Sequence, residues 1–219
     1  MDISPEVGRI QSPIAQAQPW VPQVRCDSPL GSDAGINSSA PDLLEVIRHI
    51  TKNENAQWRS SAQRALLVET LDMRSDVLAI LPTNGGKSMA YIVPSVVEGG
   101  YTAAVIPLKS LMADTERKLR DMGVEFEKYR KGQPIGGEAK LILVSIESAR
   151  TPEWRKAISE LDNRVPHTRV LRIVIDEAHF AFTASDFRDA LRNLKEMRTH
   201  SMQFVLLSAT IPPRSENHV

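Results

Sequence analysis

The stretch from Asp76 to Ser88 reads DVLAILPTNGGKS and predicts a phosphate-binding loop between a strand and a helix. Its first half is an apolar run with strand character, and this run ends at Pro82. Glycine and asparagine follow, and both tolerate the positive φ that turns successive backbone N–H groups onto an anion. The stretch then delivers a lysine and a serine to the beginning of a predicted helix, whose N-terminus favours negative charge.

Each residue type in the loop has a chemical reason to be there. Lys87 suits the β- and γ-phosphate oxygens, and the hydroxyl of Ser88 suits magnesium. The cradle itself consists of Thr83, Asn84, Gly85 and Gly86. The alternative is an ordinary Asn-Gly-Gly turn between a strand and a helix. Gly-Lys-Ser rarely occurs by chance directly after a strand and before a helix, so the phosphate loop is the favoured interpretation.

Two positions of the loop depart from the common pattern. Leu81 stands where that pattern has a glycine, five residues before Gly86, and Asn84 stands in the middle of the loop. Asparagine is the non-glycine residue that best tolerates the left-handed region, so we expect the backbone path to survive.

Composition narrows the classes of protein without choosing one. The 219 residues contain 27 Lys+Arg and 27 Asp+Glu, so any nucleic-acid contact has to come from local geometry. The single cysteine, Cys26, excludes an intrachain disulfide. No apolar run approaches the roughly 20 residues that span a bilayer, and the N-terminus has no apolar signal region. We therefore expect an intracellular protein without a membrane partner.

Periodicity divides the chain into a tail and one folded unit. Residues 1–40 are rich in Pro, Ser, Gly and Gln and are predicted to be disordered, whereas residues 41–219 are predicted to fold. Beyond the loop, continuous apolar runs predict strands at 102–106, 141–144, 170–175 and 204–207, with a short alternating strand at 124–129. Helices are predicted at 41–51, 61–71, 89–97, 110–122, 153–161 and 186–198. The alternation predicts an α/β fold, with a mostly parallel sheet and helices on both faces.

The strand ends carry the remaining candidate residues, because ligands of parallel sheets bind beyond the carboxyl ends of the strands. Asp176 and Glu177 follow strand 170–175, where one carboxylate can hold magnesium and the other can polarise water. An acidic helix N-terminus is the alternative. Ser208 and Thr210 follow the last strand and either bond to the acidic pair or satisfy turn amides.

A binding site for a nucleic-acid backbone is predicted at two further strand ends. Pro107, Lys109 and Ser110 follow strand 102–106, and Ser145 follows strand 141–144. Lysine together with the N–H groups that open a helix can hold a phosphate. An ordinary loop with an exposed lysine explains the same residues nearly as well.

These motifs together resemble the first RecA-like motor domain of superfamily 2 helicases, specifically the RecQ-like group. The resemblance runs from about Trp58 to Pro213 and is carried by Gln63, LPTNGGKS, PLKSL, DEAH and SAT in this order. The RecQ-like character lies in LPTNGGKSMAYIVP, in PLKSLMAD and in the Asp-Phe-Arg at 186–188. The resemblance implies that ATP and Mg²⁺ are the cofactors, that a nucleic-acid strand, DNA rather than RNA, is the partner, and that the protein is nuclear.

The resemblance also implies individual roles. Gln63 would bond the adenine edge, and Arg188 would approach the triphosphate. Lys87 would bind phosphate, Ser88 and Asp176 would hold magnesium, and Glu177 would be the catalytic base. The residues that would couple hydrolysis to movement are His179, Ser208 and Thr210, and those that would track the strand lie in 107–111 and 145–148. Each of three residues also has a purely structural alternative. Gln63 can form a capping box with Ser60, His179 can be a packed core residue, and Arg188 can be one charge on a solvated helix face.

Two departures from the group limit what the resemblance implies. The segment 180–185 lacks the tryptophan that senses single-stranded DNA in RecQ enzymes. Only six residues follow Pro213, and an arginine finger from a second RecA-like domain is worth roughly 10³ to 10⁵ in rate. We therefore expect weak ATPase and no unwinding from this chain alone, with a second domain supplied in trans or in a longer product. The rival interpretation is a non-catalytic nucleotide- or DNA-binding module; a P-loop kinase is disfavoured because it has no role for DEAH and SAT.

Overall fold

The structure is a computed structural model that describes residues 7–10, 42–164, 169–180 and 202–210. These residues contain seven strands and six helices. The strands are β1 Val7–Ile10, β2 Asp76–Ile80, β3 Tyr101–Ile106, β4 Phe126–Lys128, β5 Leu141–Ser145, β6 Val170–Ile175 and β7 Gln203–Ser208. The helices are α1 Leu43–Thr51, α2 Ser61–Asp72, α3 Met89–Val97, α4 Lys109–Met122, α5 Ile146–Ala149 and α6 Pro152–Arg164. The predicted helix 186–198 lies outside the described residues.

One sheet with the strand order β1-β2-β7-β6-β3-β5-β4 contains all seven strands. Six of the strands are parallel, and side chains of β3 alternate between two cores. Ala104 and Ile106 pack with helices α1 to α4, whereas Ala103 and Val105 pack with α5 and α6. Helices therefore cover both faces, which confirms the predicted α/β fold class.

The edge strand β1 is the described part of the N-terminal segment 1–40. It pairs antiparallel with β2, with Val7 opposite Ala79 and Ile10 opposite Asp76, yet it lies within the 1–40 segment predicted to be disordered. Composition describes only what a segment can bury by itself. Composition contains no information about the open edge of β2, whose backbone groups can pair with any short extended segment nearby.

A buried arginine ties the amino ends of four strands together. Arg172 on β6 is 0% exposed, and its guanidinium is held by both oxygens of the buried Glu98 carboxylate. It also donates to Gln203 Oε1 at 3.3 Å and to Thr102 Oγ1 at 3.2 Å. The amide of Gln203 donates in turn to the carbonyl of Ser75, ahead of β2. This network fixes the strands at the end of the sheet opposite to the phosphate loop.

Candidate functional site

The loop after β2 adopts the left-handed turns that its sequence predicts. Asn84 has φ +64° and Gly86 has φ +83°, so the expectation that asparagine preserves the backbone path is confirmed. The loop is anchored at its beginning, where the Leu81 N–H donates to the Ser208 carbonyl at 3.0 Å. It closes on itself through the Gly85 N–H, which donates to the Pro82 carbonyl at 2.8 Å. Thr83 is exposed at its tip.

Gln63 lies under the loop. Its side chain is buried, and a Cβ on Gly86 would fall 2.0 Å from its Nε2 atom. Its Oε1 accepts from the Arg59 N–H at 2.8 Å, and its own N–H donates to Ser60 Oγ at 3.1 Å, which caps α2. Gln63 thus secures both the helix start and the loop. Its role at an adenine edge stays a prediction.

Lys87 points across the loop toward the acidic motif. Its side chain is 9% exposed, and Nζ donates to the Leu81 carbonyl at 3.1 Å. The same ammonium lies 3.9 Å from Glu177 Oε1. Ser88, half-buried, follows at the N-terminus of α3. The structure therefore brings the lysine of the loop and the carboxylate after β6 to one place, as the sequence predicts.

Asp176 and Glu177 emerge from β6 in a strained turn. The Glu177 N–H donates to Asp176 Oδ1 at 3.0 Å, and Glu177 has φ +49°, an uncommon conformation for a non-glycine residue. Burial, reinforced by the neighbouring Glu177 charge, raises the pKa of Asp176 to about 6. Lys87 opposes that rise by its positive charge.

The residues predicted to couple hydrolysis to movement adjoin Glu177. Its Oε2 is buried and accepts no hydrogen bond, and His179 Nδ1 lies 3.2 Å away. Ser208 Oγ is 3.4 Å from the same ring nitrogen and donates to the Thr210 carbonyl at 2.6 Å. Phe180 stacks on the His179 ring with centroids 4.5 Å apart. Lys87, Glu177, His179 and Ser208 thus form one continuous path between β2, β6 and β7.

The donor set fits magnesium. Mg²⁺ binds few protein oxygens and keeps waters and phosphates as its other ligands, so Ser88 and Asp176 are sufficient. The described residues contain no cluster of three or more His, Cys, Asp or Glu. A nearby cation would lower the raised pKa of Asp176. When bound, the ion would bridge and neutralise nucleotide phosphates.

The predicted nucleic-acid residues lie side by side at the same edge of the sheet. Strands β3 and β5 are paired, and Ile106 is aligned with Ser145. Pro107 is buried, whereas Lys109 and Ser110 are exposed at the first residues of α4. Ser145 Oγ is partly occupied because it accepts from the Ser148 N–H at 3.2 Å and caps α5. Arg188 lies outside the described residues.

The family match covers most of the chain. The DEAD/DEAH box helicase family matches residues 60–219. This chain belongs to that family. Among DEAD/DEAH relatives, the RecQ-like DNA helicase BLM of Xenopus laevis is 30% identical over 66% of this chain. The ATP-dependent DNA helicase Q-like 2 of Arabidopsis thaliana is 28% identical over 87% of it. The RecQ-like resemblance is thereby confirmed.

The share of each relative that is matched is small. This helicase chain spans 12% of the Xenopus protein and 30% of the Arabidopsis protein. A solved structure described as a hypothetical ATP-dependent RNA helicase from Sulfolobus tokodaii superposes with a TM-score of 0.56, over 77% of this chain and 51% of that one. At 21% identity it supports the fold alone. No helix among the described residues has the length and apolarity to cross a membrane.

Two residues at the site escape sequence reasoning. Arg59 donates from its guanidinium to the Asn84 carbonyl at 2.7 Å and so braces the loop from outside. Tyr91 is buried in α3, one turn after Ser88. Arg59 stands among polar residues ahead of α2, and Tyr91 stands in an apolar helix, so neither has a pattern of its own. The only available indication for Tyr91 is a hydroxyl in a run that is otherwise apolar.

Proposed function

We propose that this helicase domain binds Mg-ATP between the 81–88 loop and the Asp176–Glu177 turn. The observation that carries the proposal is the approach of Lys87 Nζ to 3.9 Å from Glu177 Oε1, beside a half-buried Asp176 whose pKa is raised to about 6. Two carboxylates and a lysine crowded at the end of a sheet are costly without a ligand. A magnesium-bound triphosphate supplies both the anion that Lys87 needs and the cation that the carboxylates need.

Each residue has a distinct task in this proposal. Lys87 exchanges its bond to the Leu81 carbonyl for phosphate oxygens, and the N–H groups around Asn84 and Gly86 receive the same anion. Ser88 and Asp176 hold magnesium. Glu177 accepts a proton from the attacking water, and its carboxylate lies at the loop, 3.9 Å from Lys87 Nζ.

We propose that a single nucleic-acid strand crosses the carboxyl ends of β3 and β5. Lys109 and Ser110 are exposed there, and the paired register brings Ser145 beside them. DNA is favoured because the relatives named above are described as DNA helicases. Their greater length supports a second RecA-like domain, in the same polypeptide or in trans, for rapid hydrolysis and unwinding.

Nucleotide binding is tested by titrating a fluorescent ATP analogue in the presence of Mg²⁺. We expect Lys87→Ala to weaken binding by at least about tenfold, because a charge-assisted hydrogen bond contributes roughly 1.5–3 kcal/mol. Lys156→Ala is the matched control, since Lys156 is exposed on α6. Equal affinities for the wild type and Lys87→Ala would refute the proposal.

Turnover separates a working motor domain from a non-catalytic module. Steady-state ATP hydrolysis is measured with and without single-stranded DNA, for the wild type and for Glu177→Gln. A motor domain gives a wild-type rate above that of the variant. Equal rates, with nucleotide binding intact, mean that the chain binds without turning over.

Strand binding needs its own measurement. Fluorescence anisotropy with a labelled single-stranded DNA, and with an RNA of the same sequence, compares Lys109→Ala with Lys156→Ala. We expect only Lys109→Ala to weaken binding. If both variants bind as the wild type does, the predicted strand path is wrong.

A further inference from the structure

Arg130 lies at the carboxyl end of β4, the strand that follows β5 at the edge of the sheet. Strand β4 pairs in parallel with β5, with Lys128 opposite Leu143. The Tyr129 N–H continues this pairing by donating to the Leu143 carbonyl at 2.9 Å. Two more steps of the register after Lys128 bring Arg130 level with Ser145. The carboxyl ends of β3, β5 and β4 therefore follow one another along one edge of the sheet.

The backbone at Arg130 is fixed on both sides. Before it, the Tyr129 side chain is buried, and its ring lies against the Trp154 ring with centroids 4.8 Å apart. After it, the Gln133 N–H donates to the Arg130 carbonyl at 3.0 Å, and Gly132 has the φ of +78° that such a turn requires. The Arg130 side chain itself is exposed. An exposed side chain on a fixed backbone can bind a ligand from solvent at a defined place.

Arg130 differs from the two lysines beside it in the pairing of its charge. Lys128 Nζ lies 2.6 Å from Glu116 Oε1, and Lys131 Nζ lies 3.0 Å from Glu153 Oε1. No carboxylate in the described part of the chain comes within ion-pair distance of the Arg130 guanidinium. The charge of Arg130 is therefore available to an anion from outside the chain, whereas the charges of the two lysines are offset.

The proposed nucleic-acid path across β3 and β5 has few positive charges of its own. Residues 145–148 read Ser-Ile-Glu-Ser, and Glu147 is exposed. Lys109 is thus the only cation among the residues assigned to the path so far. Single strands are held largely through phosphate contacts with lysine and arginine. Because the chain has 27 basic and 27 acidic residues, a second cation has to come from the local structure.

We propose that the nucleic-acid strand continues over the carboxyl end of β4, where the Arg130 guanidinium binds a backbone phosphate. The inference rests on the proposed function and extends its nucleic-acid path. Neighbouring strands of a sheet lie about 4.8 Å apart, so the ends of β3 and β4, with β5 between them, are about 10 Å apart. That distance corresponds to about three nucleotides at 3.4 Å each. Lys109 and Arg130 then hold phosphates on either side of Ser145, and arginine can do so through two parallel hydrogen bonds.

The test is the salt dependence of binding to a labelled single-stranded oligodeoxythymidylate, measured by fluorescence anisotropy. Each phosphate contact contributes about 0.7 to the slope of log affinity against log salt concentration for a single strand. For Arg130→Ala we expect a slope shallower by about 0.7. Its affinity at low salt should be about fivefold lower, the upper range for an exposed ion pair. Arg130→Lys keeps the charge and should restore most of the slope.

Lys131→Ala is the matched control, because it removes the same charge one residue away. Lys131 is also exposed but is paired with Glu153, so this variant should keep the wild-type slope. Equal changes of slope in Arg130→Ala and Lys131→Ala would show a diffuse effect of net charge and overturn the inference.

The remaining outcomes are also decisive. An unchanged slope in Arg130→Ala, with weaker binding by Lys109→Ala, overturns the inference and leaves the proposed path over β3 and β5 in place. A lower affinity of Arg130→Ala without a change of slope excludes a phosphate contact and overturns it as well. If Arg130→Ala does not unfold cooperatively on heating, Arg130→Gln replaces it in the same measurement. No binding by the wild type, or wild-type binding by both Lys109→Ala and Arg130→Ala, refutes the proposed path and the inference together.

Discussion

Replacing Asp176 by asparagine should make the protein more stable at neutral pH. The carboxyl is largely buried beside Glu177, and its pKa rises from 3.8 to about 6. The folded protein therefore prefers the neutral acid, yet at pH 7.5 it holds the charged form. Asparagine resembles the neutral acid and retains an oxygen for the Glu177 N–H, which now donates to Asp176 Oδ1 at 3.0 Å.

The size and the pH dependence of the gain follow from the two pKa values. One pKa unit corresponds to about 1.4 kcal/mol, so the rise from 3.8 to about 6 gives a gain of about 3 kcal/mol. Because the folded pKa is the higher one, folding of the wild type takes up a proton between these values. Wild-type stability from this group is fully present below pH 3.8 and is lost as pH rises through 6. The advantage of asparagine is therefore largest above pH 7 and disappears near pH 4.

Urea unfolding at 25 °C, without nucleotide or Mg²⁺, measures the difference at pH 7.5, 6 and 4.5. Other carboxylates titrate in both proteins, so they cancel when the two free energies of unfolding are subtracted. Asp121→Asn, on an exposed carboxylate at the end of α4, should change stability by less than about 0.5 kcal/mol. The reasoning is refuted if Asp176→Asn is no more stable than the wild type at pH 7.5. It is equally refuted if the gain stays constant as the pH falls.

Substitutions at three further positions test the loop and the core by urea unfolding at pH 7.5. Gly86→Ala should lose about 2–4 kcal/mol, because it combines a positive φ with a Cβ placed 2.0 Å from Gln63 Nε2; a loss below 1 kcal/mol would contradict this. Arg172→Met should lose about 3–5 kcal/mol, since it leaves the buried Glu98 carboxylate without its partner, and wild-type stability in this variant would disprove that role. Asn84→Ala should lose about 1 kcal/mol at φ +64°, whereas Asn84→Gly should lose almost nothing; equal losses would exclude backbone strain as the cause.

The positions of the strands can be predicted from the sequence because most of the strands are buried on both faces. Strand β6 is predicted at 170–175 and observed at Val170–Ile175, and β7 gains only one residue at each end. Continuous apolar runs mark such strands directly. The order of strands and the edge strand β1 are not predicted, because pairing depends on contacts between segments that are distant in the chain.

Some residues of the candidate site can likewise be predicted from the sequence, and others cannot. Lys87, Asp176 and Glu177 carry recognisable chemistry at fixed places in the sequence, and the structure brings them together. Arg59 and Tyr91 are missed because neither belongs to a pattern of its own, and Arg172, at the other end of the sheet, is missed because it stands inside an otherwise apolar strand. The importance of Arg59 and Arg172 comes from partners elsewhere in the chain, the Asn84 carbonyl for Arg59 and Gln203 on β7 for Arg172. Patterns within one element do not contain that information.

The two ends of the sheet differ in how completely their charges are paired. At the amino end, Arg172 faces a carboxylate and three further acceptors, so its charge is fully paired. At the carboxyl end, Glu177 has a strained backbone, its carboxylate lies 3.9 Å from Lys87 Nζ and 3.2 Å from His179 Nδ1, and the pKa of Asp176 is raised. A protein selected only for stability would relieve these defects, as Asp176→Asn is expected to do. They make sense together if a cation and an anion arrive there in each cycle, which is the condition that Mg-ATP meets.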